Sequence, residues 1–506
     1  MDQFTIVPYS VSPSTIQVIR SNRIPHAEEV EEISQSIDAA QSVRTGLASQ
    51  ITAAQLALLQ LQRLDDNAMQ HIRRCTGALS PIRRLPPEVL SRIFHFYHQN
   101  CFSSVSTFGR EPLFHSDRIW TLGEICSYWR SVAVTTGHLW STFQFTCKGR
   151  PQKTEAALAW LLRAGNYPLT FSFACAGHGS AVVDCDVFKA LLSRGDRWRN
   201  AVFTIPQFFL PAVGALKGRL PILEKLHYTN GSQSAPPIPL LDAFSVAPML
   251  HDLSLSDILA SVPAILPWDQ IEHYSGDQFD NMRNHVLGIA PNINTFVLNS
   301  PHGPAVTAVT HQLKKLDFRS GYHTLACLTL PALKILHFRG VDSTHITRLL
   351  TRSGTALTDL HIESFDLALH NILDVFEITP ALTSLTLLAN RATFQATGAA
   401  NDYIFIRLTP KRFRAARTGT WPVLLPRLQR LTATGLPASD AFVHMLESRV
   451  VATDENVRLE SVLLRDVVVV PSEHAYSYAR LQELANLTGM AVAIHGIVHP
   501  LRRSGV

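Results

Sequence analysis

One phrase limits what this chain can fold into. It reads L-x-x-L-x-L, often led by proline, with Ile, Val, Phe or Tyr replacing some leucines. It occurs at Leu223, Leu226 and Tyr228, at Leu250, Leu253 and Leu255, and more weakly at Ile271 and Tyr274. It returns at Ile293, Phe296 and Leu298, at Leu313, Leu316 and Phe318, and at Leu333, Leu336 and Phe338. Later copies fall at Leu357, Leu360 and Ile362, at Leu382, Leu385 and Leu387, at Leu428 and Leu431, and at Leu459, Val462 and Leu464. The last two positions of each three-position copy lie two residues apart, so they share one face of a strand. A lone strand cannot bury that face. Stacked copies bury it together as a parallel sheet, and the chain returns on the other side.

The first positions follow one another at 27, 21, 22, 20, 20, 24 and 25 residues, then at 46 and 31. The shorter steps match the period of leucine-rich repeats, roughly 20–29 residues. The expected fold class is therefore an α/β solenoid, leucine-rich-repeat-like, with a parallel sheet and helices, over residues 150–500. Apolar stretches at Thr344–Leu350 and Ala368–Phe376 suit the returning helices. The Asn or Cys that closes regular repeats is not consistently present, so the array is degenerate. The step of 46 marks an insertion or a lost repeat at residues 388–425, with Tyr403–Thr420 as its content. Upstream of the first phrase, helix patterns at Thr154–Ala164 and Phe188–Arg194 alternate with strand patterns at Pro168–Ala174 and Ala201–Ile205. The bland alternative is an ordinary α/β domain whose strands are leucine-rich by chance. About nine copies in phase argue against it.

The N-terminal quarter has a different texture. Residues 1–25 carry no clear pattern and are expected to be disordered. Residues 26–75 contain no proline and one glycine, Gly46. Apolar residues recur there by steps of four and three: Ile33, Ile37, Ala40, Leu47, Ile51, Ala54, Leu58, Leu61, Ala68 and Ile72. Arg44 and Asp65 interrupt the seam. This is a heptad pattern, which predicts a long amphipathic, coiled-coil-like helix. Such a helix is suited to self-association with a second chain or to folding back on its own. Gly77 and Pro81 stop it.

Composition excludes several classes. The chain has 506 residues, 17% charged and 46% hydrophobic, as in globular proteins. A net charge of +5 spread over this length leaves no concentrated basic face, so nucleic acid is not expected as a partner. No apolar run approaches the roughly 18 residues of a membrane span. The seven cysteines, Cys75, Cys101, Cys126, Cys147, Cys175, Cys185 and Cys327, form no C-x-x-C pair. Reduced, mostly buried thiols are expected, in a cytoplasmic or nuclear protein. No phosphate loop, H-E-x-x-H or G-x-S-x-G occurs, and neither a cofactor, a metal nor an enzyme active site is expected. His251, His337 and His361 sit beside the phrases, where alternation turns them from the leucine face.

Residues 80–146 carry the sharpest motif. Leu85, Pro86, Pro87, Glu88, Val89 and Leu90 run into Ile93 and Phe94. The prolines suit a first helical turn and Glu88 its positive end. Leu90, Ile93 and Phe94 form an i, i+3, i+4 apolar face. Ile119 to Ala133, with Trp120, Cys126, Trp129 and Arg130, predicts a second helix, closed by Leu139 and Trp140. The segment resembles the F-box, above all the F-box-like form of mushroom-forming fungi: L-P-P-E-[IV]-L-x-x-I-F, then C-x-x-W-R-x-[IV]-A, then L-W. The preceding helix and the later phrases also look like that group.

The resemblance implies a small all-α F-box unit that docks on a Skp-type adaptor and, through it, a cullin-based ubiquitin ligase. By position, Leu85, Pro86, Glu88, Leu90 and Ile93 would face the adaptor. Phe94, Cys126, Trp129, Arg130, Ala133 and Trp140 would pack the unit. The repeats would bind an unknown target protein. Tyr97–Arg118 is longer than the matching stretch of a minimal F-box and reads as a loop. Two alternatives remain at this point. The segment could serve only as a cap for the array, or the chain could be a ligase-independent scaffold with a vestigial F-box.

Overall fold

In the computed structural model the leucine phrases become rows across a single sheet. The structure describes residues 11–102, 117–147, 151–175, 185–206, 209–230, 242–256, 265–276, 286–298, 308–318, 322–339, 343–365, 372–389, 402–410, 421–436, 439–450, 457–468, 476–477, 479–484 and 491–498. Contacts divide the chain into two units, Met1–Leu90 and Ser91–Val506.

The first unit holds α1 (Pro13–Ser21) and α2 (Ala27–Leu79). Helix α1 lies where no regular element was expected. Its signal is local: Ser12 caps it by accepting from the Thr15 amide, and Pro13 opens it. Helix α2 has 53 residues, matching the heptad reading, and none of them is buried. Its start is fixed by Glu29, whose carboxylate accepts from the His26 amide at 2.9 Å and from Arg23.

The second unit begins within α3 (Pro87–Phe102) and continues through α4 (Asp117–Ile125), α5 (Ser127–Thr135) and the 3-10 turn Gly137–Trp140. The sheet follows. Its strands are β1 (Thr142–Cys147), β2 (Leu169–Cys175), β3 (Trp198–Ile205), β4 (Lys225–Asn230), β5 (Asp252–Ser256), β6 (His273–Gly276) and β7 (Thr295–Leu298). After β8 (Val309–Thr310) come β9 (Lys315–Phe318), β10 (Leu328–Thr329), β11 (Ile335–Arg339), β12 (Asp359–Phe365), β13 (Ser384–Ala389), β14 (Arg430–Thr434), β15 (Ser461–Val468) and β16 (Ala491–Val498). Among the described residues, fourteen strands form one parallel sheet in chain order, and β8 pairs separately with β10. Between them run α6 (Pro151–Arg163), α7 (Asp186–Leu192), α8 (Leu210–Val213), α9 (Val286–Ile289), α10 (Ser343–Ser353), α11 (Ile372–Glu377), α12 (Asp402–Leu408) and α13 (Asp440–Arg449). The chain is thus a long N-terminal helix followed by a large parallel sheet with helices, an α/β solenoid-like fold.

Register explains the phrase. Leu226, Leu253, Tyr274, Phe296, Leu316, Leu336, Leu360, Leu385, Leu431 and Val462 are lateral partners in one row. The third phrase position makes a second row two residues on. The first phrase positions, from Leu223 to Leu459, are all buried at the strand starts. There, one carbonyl accepts from two successive amides of the next strand: Lys314 O from Lys334 and Ile335, Lys334 O from Thr358 and Asp359. Helices α10 and α11 bury Ile346, Leu349, Val375 and Phe376, and α7 sets Phe188 on Phe173 of β2 with rings 5.2 Å apart.

Three expectations change and a fourth, the insertion, is sharpened. The predicted helix Ile119–Ala133 is two helices, because Cys126 leaves helical geometry and caps α5, its Sγ accepting from the Trp129 amide at 3.4 Å. Residues 142–147, expected to close the helical segment, form β1, whose Phe143 and Phe145 stack on Phe171 and Phe173. The region 388–425 includes helix α12, while β13 and β14 remain neighbours in the sheet. Of the described cysteines only Cys175 is buried, so the thiols are less covered than expected.

Candidate interaction surfaces

Helix α3 starts where its prolines allow. The Leu90 amide donates to Pro86 O at 3.1 Å, and Pro87, which has no N–H to satisfy, opens the first turn. Leu90 and Phe94, one turn apart, are both fully buried. Phe94 meets the Trp129 ring at 5.0 Å. Another stripe points to solvent: Val89, Ile93 (40% exposed) and Phe96 (63% exposed), with Tyr97 beside them. Residues i, i+4 and i+7 share a helix face, so this is a continuous apolar strip. Of the five residues expected to face a partner, Pro86, Glu88 and Ile93 are exposed, Leu85 is half-buried and Leu90 is internal. Leu90 is therefore a packing residue. The expected loop Tyr97–Arg118 is in part helix, since α3 runs to Phe102 and α4 begins at Asp117; residues 103–116 lie outside the described residues.

Of the residues expected to pack the unit, Phe94, Ala133 and Trp140 are buried, Cys126 and Trp129 are half-buried, and Arg130 is exposed. Arg130 Nε nonetheless donates to Gly123 O at 2.8 Å and ties α5 to the end of α4. Ala133 is buried, and its carbonyl accepts from the Trp140 indole at 2.7 Å. Trp140 lies between Trp120 and Trp160, with centroids 5.1 and 4.8 Å away. The Arg163 guanidinium stands 4.7 Å from both the Trp120 and the Trp140 ring. Since Trp160 and Arg163 belong to α6, these rings join the helical segment to the sheet. Gly137 is needed here, because a Cβ would come within 2.8 Å of the Tyr167 ring and 3.2 Å of Arg163 O.

Sequence reasoning missed a histidine group. His95 of α3 and His138 lie 4.6 Å apart, and His138 also meets Tyr167. His98 is buried one turn further along α3. Burial, then the neighbouring His138 and His95 imidazoles, pushes His98 down to about 4. His138 is lowered too, by burial and by His95. Both rings are thus neutral at pH 7.

The second surface is the polar face of the sheet. Lys225 and Asp252 pair at 2.9 Å on adjacent strands. Asp317, His337 and His361 are lateral neighbours on β9, β11 and β12. The two imidazoles lie 4.8 Å apart, and His337 Nδ1 is 3.9 Å from the Asp317 carboxylate. As expected, both turn from the leucine face. Burial first, then Lys315 and His361, brings His337 down to about 4, so this row presents neutral rings rather than cations. The row places hydrogen-bonding imidazoles beside the Asp317 carboxylate on the polar face of the sheet.

Among the described residues, no group of His, Cys, Asp and Glu is arranged to hold a metal ion. No described helix is long and apolar enough to cross a membrane. A scan against protein-family models gives no match, and a search of curated proteins gives none.

Proposed function

We propose that this chain is a non-catalytic substrate-recognition subunit of a Skp–cullin–F-box type ubiquitin ligase. In this reading residues 80–146 are the F-box-like unit and the solenoid is a degenerate leucine-rich-repeat domain. The carrying observation is the solvent-facing strip of α3. Val89, Ile93 and Phe96 are exposed on a helix that already buries Leu90 and Phe94, and Leu85, Pro86 and Glu88 lead into it. An apolar strip beside a fixed helix start invites a partner. The polar sheet face then holds a target protein. The unit breaks no bond itself; it acts by proximity, bringing a target lysine near a charged conjugating enzyme.

The test is co-purification with the host's Skp-type adaptor. Retention by the wild-type chain and loss with a Pro86→Ala, Ile93→Asp double variant support the reading. Absence of the adaptor from every wild-type purification would sink it. The ligase-independent scaffold is the competing reading, and one observation favours it: burial of Leu90 removes a position that the F-box pattern would offer to an adaptor. Under that reading the double variant keeps all its partners.

A further inference from the structure

Helix α2 carries a heptad seam, interrupted by Arg44 and Asp65, that nothing in its own unit covers. Extended in phase from Ile37, position a holds Ile37, Arg44, Ile51, Leu58, Asp65 and Ile72. Position d holds Ala40, Leu47, Ala54, Leu61, Ala68 and Cys75. Ile37, Leu47, Ile51, Leu58, Leu61 and Ile72 are each 45–63% exposed. A 53-residue helix is about 80 Å long. Over that length an open seam favours pairing. Helix α1 and the residues that follow it attend only the first turns, through Ser14 with Glu32 and Arg23 with Glu29, and leave the seam from Ile37 onward open.

The two charges and the alanines decide what pairs there. In a parallel dimer in register, Arg44 would face Arg44 and Asp65 would face Asp65, two like-charge layers. The Ala40, Ala54 and Ala68 layers would each oppose two methyl groups and pack poorly. Reversing one helix removes both faults. With Ile37 opposite Cys75 of the second copy, Ala40 meets Ile72, Ala54 meets Leu58 and Ala68 meets the Arg44 stem. Leu47 meets Asp65, and Arg44 stands one layer from that same Asp65, within reach of a long side chain. Every small residue then has a large partner, and each buried charge has its opposite, twice by symmetry.

We propose that α2 pairs with α2 of a second copy as an antiparallel coiled coil in which Arg44 of each chain engages Asp65 of the other. The occupant is this same chain, because the seam is complementary to its own reverse.

The experiment uses the full chain. Sedimentation velocity reports its mass, and mild oxidation followed by peptide mapping reports orientation. In an Ile37→Cys variant the new thiol should cross-link to Cys75. The two residues are about 57 Å apart along one helix, so that bond can form only between chains. A Cys75–Cys75 bond as the main product would mean a parallel dimer and overturn the proposal. A monomer at tens of micromolar would overturn it too. Charge reversal gives the second readout. Asp65→Arg should weaken the dimer about tenfold or more, and adding Arg44→Asp should restore it. Equal dimerisation of wild type, single and double variants would also overturn it. None of these substitutions lies in α3 or the sheet, so failure here leaves the adaptor reading standing.

Discussion

Helix α2 and the sheet carry equally regular apolar patterns and meet opposite fates. In the sheet, a residue such as Leu336 has Leu316 on one side and Leu360 on the other, and all three are buried. In α2, Ile51 occupies an equally periodic position and stays 57% exposed. Period tells which face of an element is apolar. It does not tell what covers that face. The sheet supplies its own cover because each repeat brings the next strand beside the last, whereas a single helix needs a partner.

This contrast can be broken or sharpened by substitution. Leu336→Ala, in the middle of the array, should cost about 3 kcal/mol in urea unfolding, by lost transfer energy and a cavity between neighbouring rows. Ile51→Ala should cost the folded monomer almost nothing and act only on self-association. A similar loss, about 3 kcal/mol, is expected for Arg449→Ala. Arg449 is fully buried, and its guanidinium donates to Leu408 O, Leu425 O and Leu424 O at 2.8, 2.9 and 2.6 Å. Removing it takes the side-chain donor from the Leu408 and Leu424 carbonyls and leaves Leu425 O with only the Leu428 amide, at a residue whose φ of 49° is strained. Retained stability in that variant would show that the α13 region is held by apolar packing alone.

The next effect is set by pH. His98, brought down to about 4, stays neutral in the fold, while in the unfolded chain it takes a proton below about 6.5. Its contribution is complete above that value and is lost as pH falls toward 4, by about 2 kcal/mol between pH 7 and 5. A His98→Gln variant should show a flatter dependence of melting temperature across that window; an unchanged slope would assign the acid sensitivity elsewhere. Smallest of all, Lys225→Ala breaks an exposed pair with Asp252 and should shift stability by under about 0.5 kcal/mol.

The strands were legible because alternation and recurrence agree. Leu313, Leu316 and Phe318 show a strand alone, and the step of 20 to Leu333 shows that it repeats. Three things were not legible. The strand β1 lies beside the tryptophan-rich helices, so its Phe143 and Phe145 read as their tail. Cys126 breaks a helix through a backbone change that no helical period betrays. The donors of Arg449 and the rings around His138 depend on residues distant in sequence, which local pattern cannot bring together. On α3 the signal was present but misassigned. Leu90, Ile93 and Phe94 read as one face, while the structure buries Leu90 and Phe94 and leaves Ile93 outside with Val89 and Phe96. The second stripe, at i, i+4 and i+7, was available in the sequence.

That second stripe is where the proposed function can be tested most directly. The measurement is the affinity of the purified full-length chain for the host's Skp-type adaptor, wild type against an Ile93→Asp, Phe96→Asp variant. Both side chains are exposed, so the variant should keep the wild-type melting temperature. The proposal expects wild-type binding that weakens about a hundredfold or more when the strip is charged. Equal affinity of the two proteins, or no binding by the wild type, would contradict it.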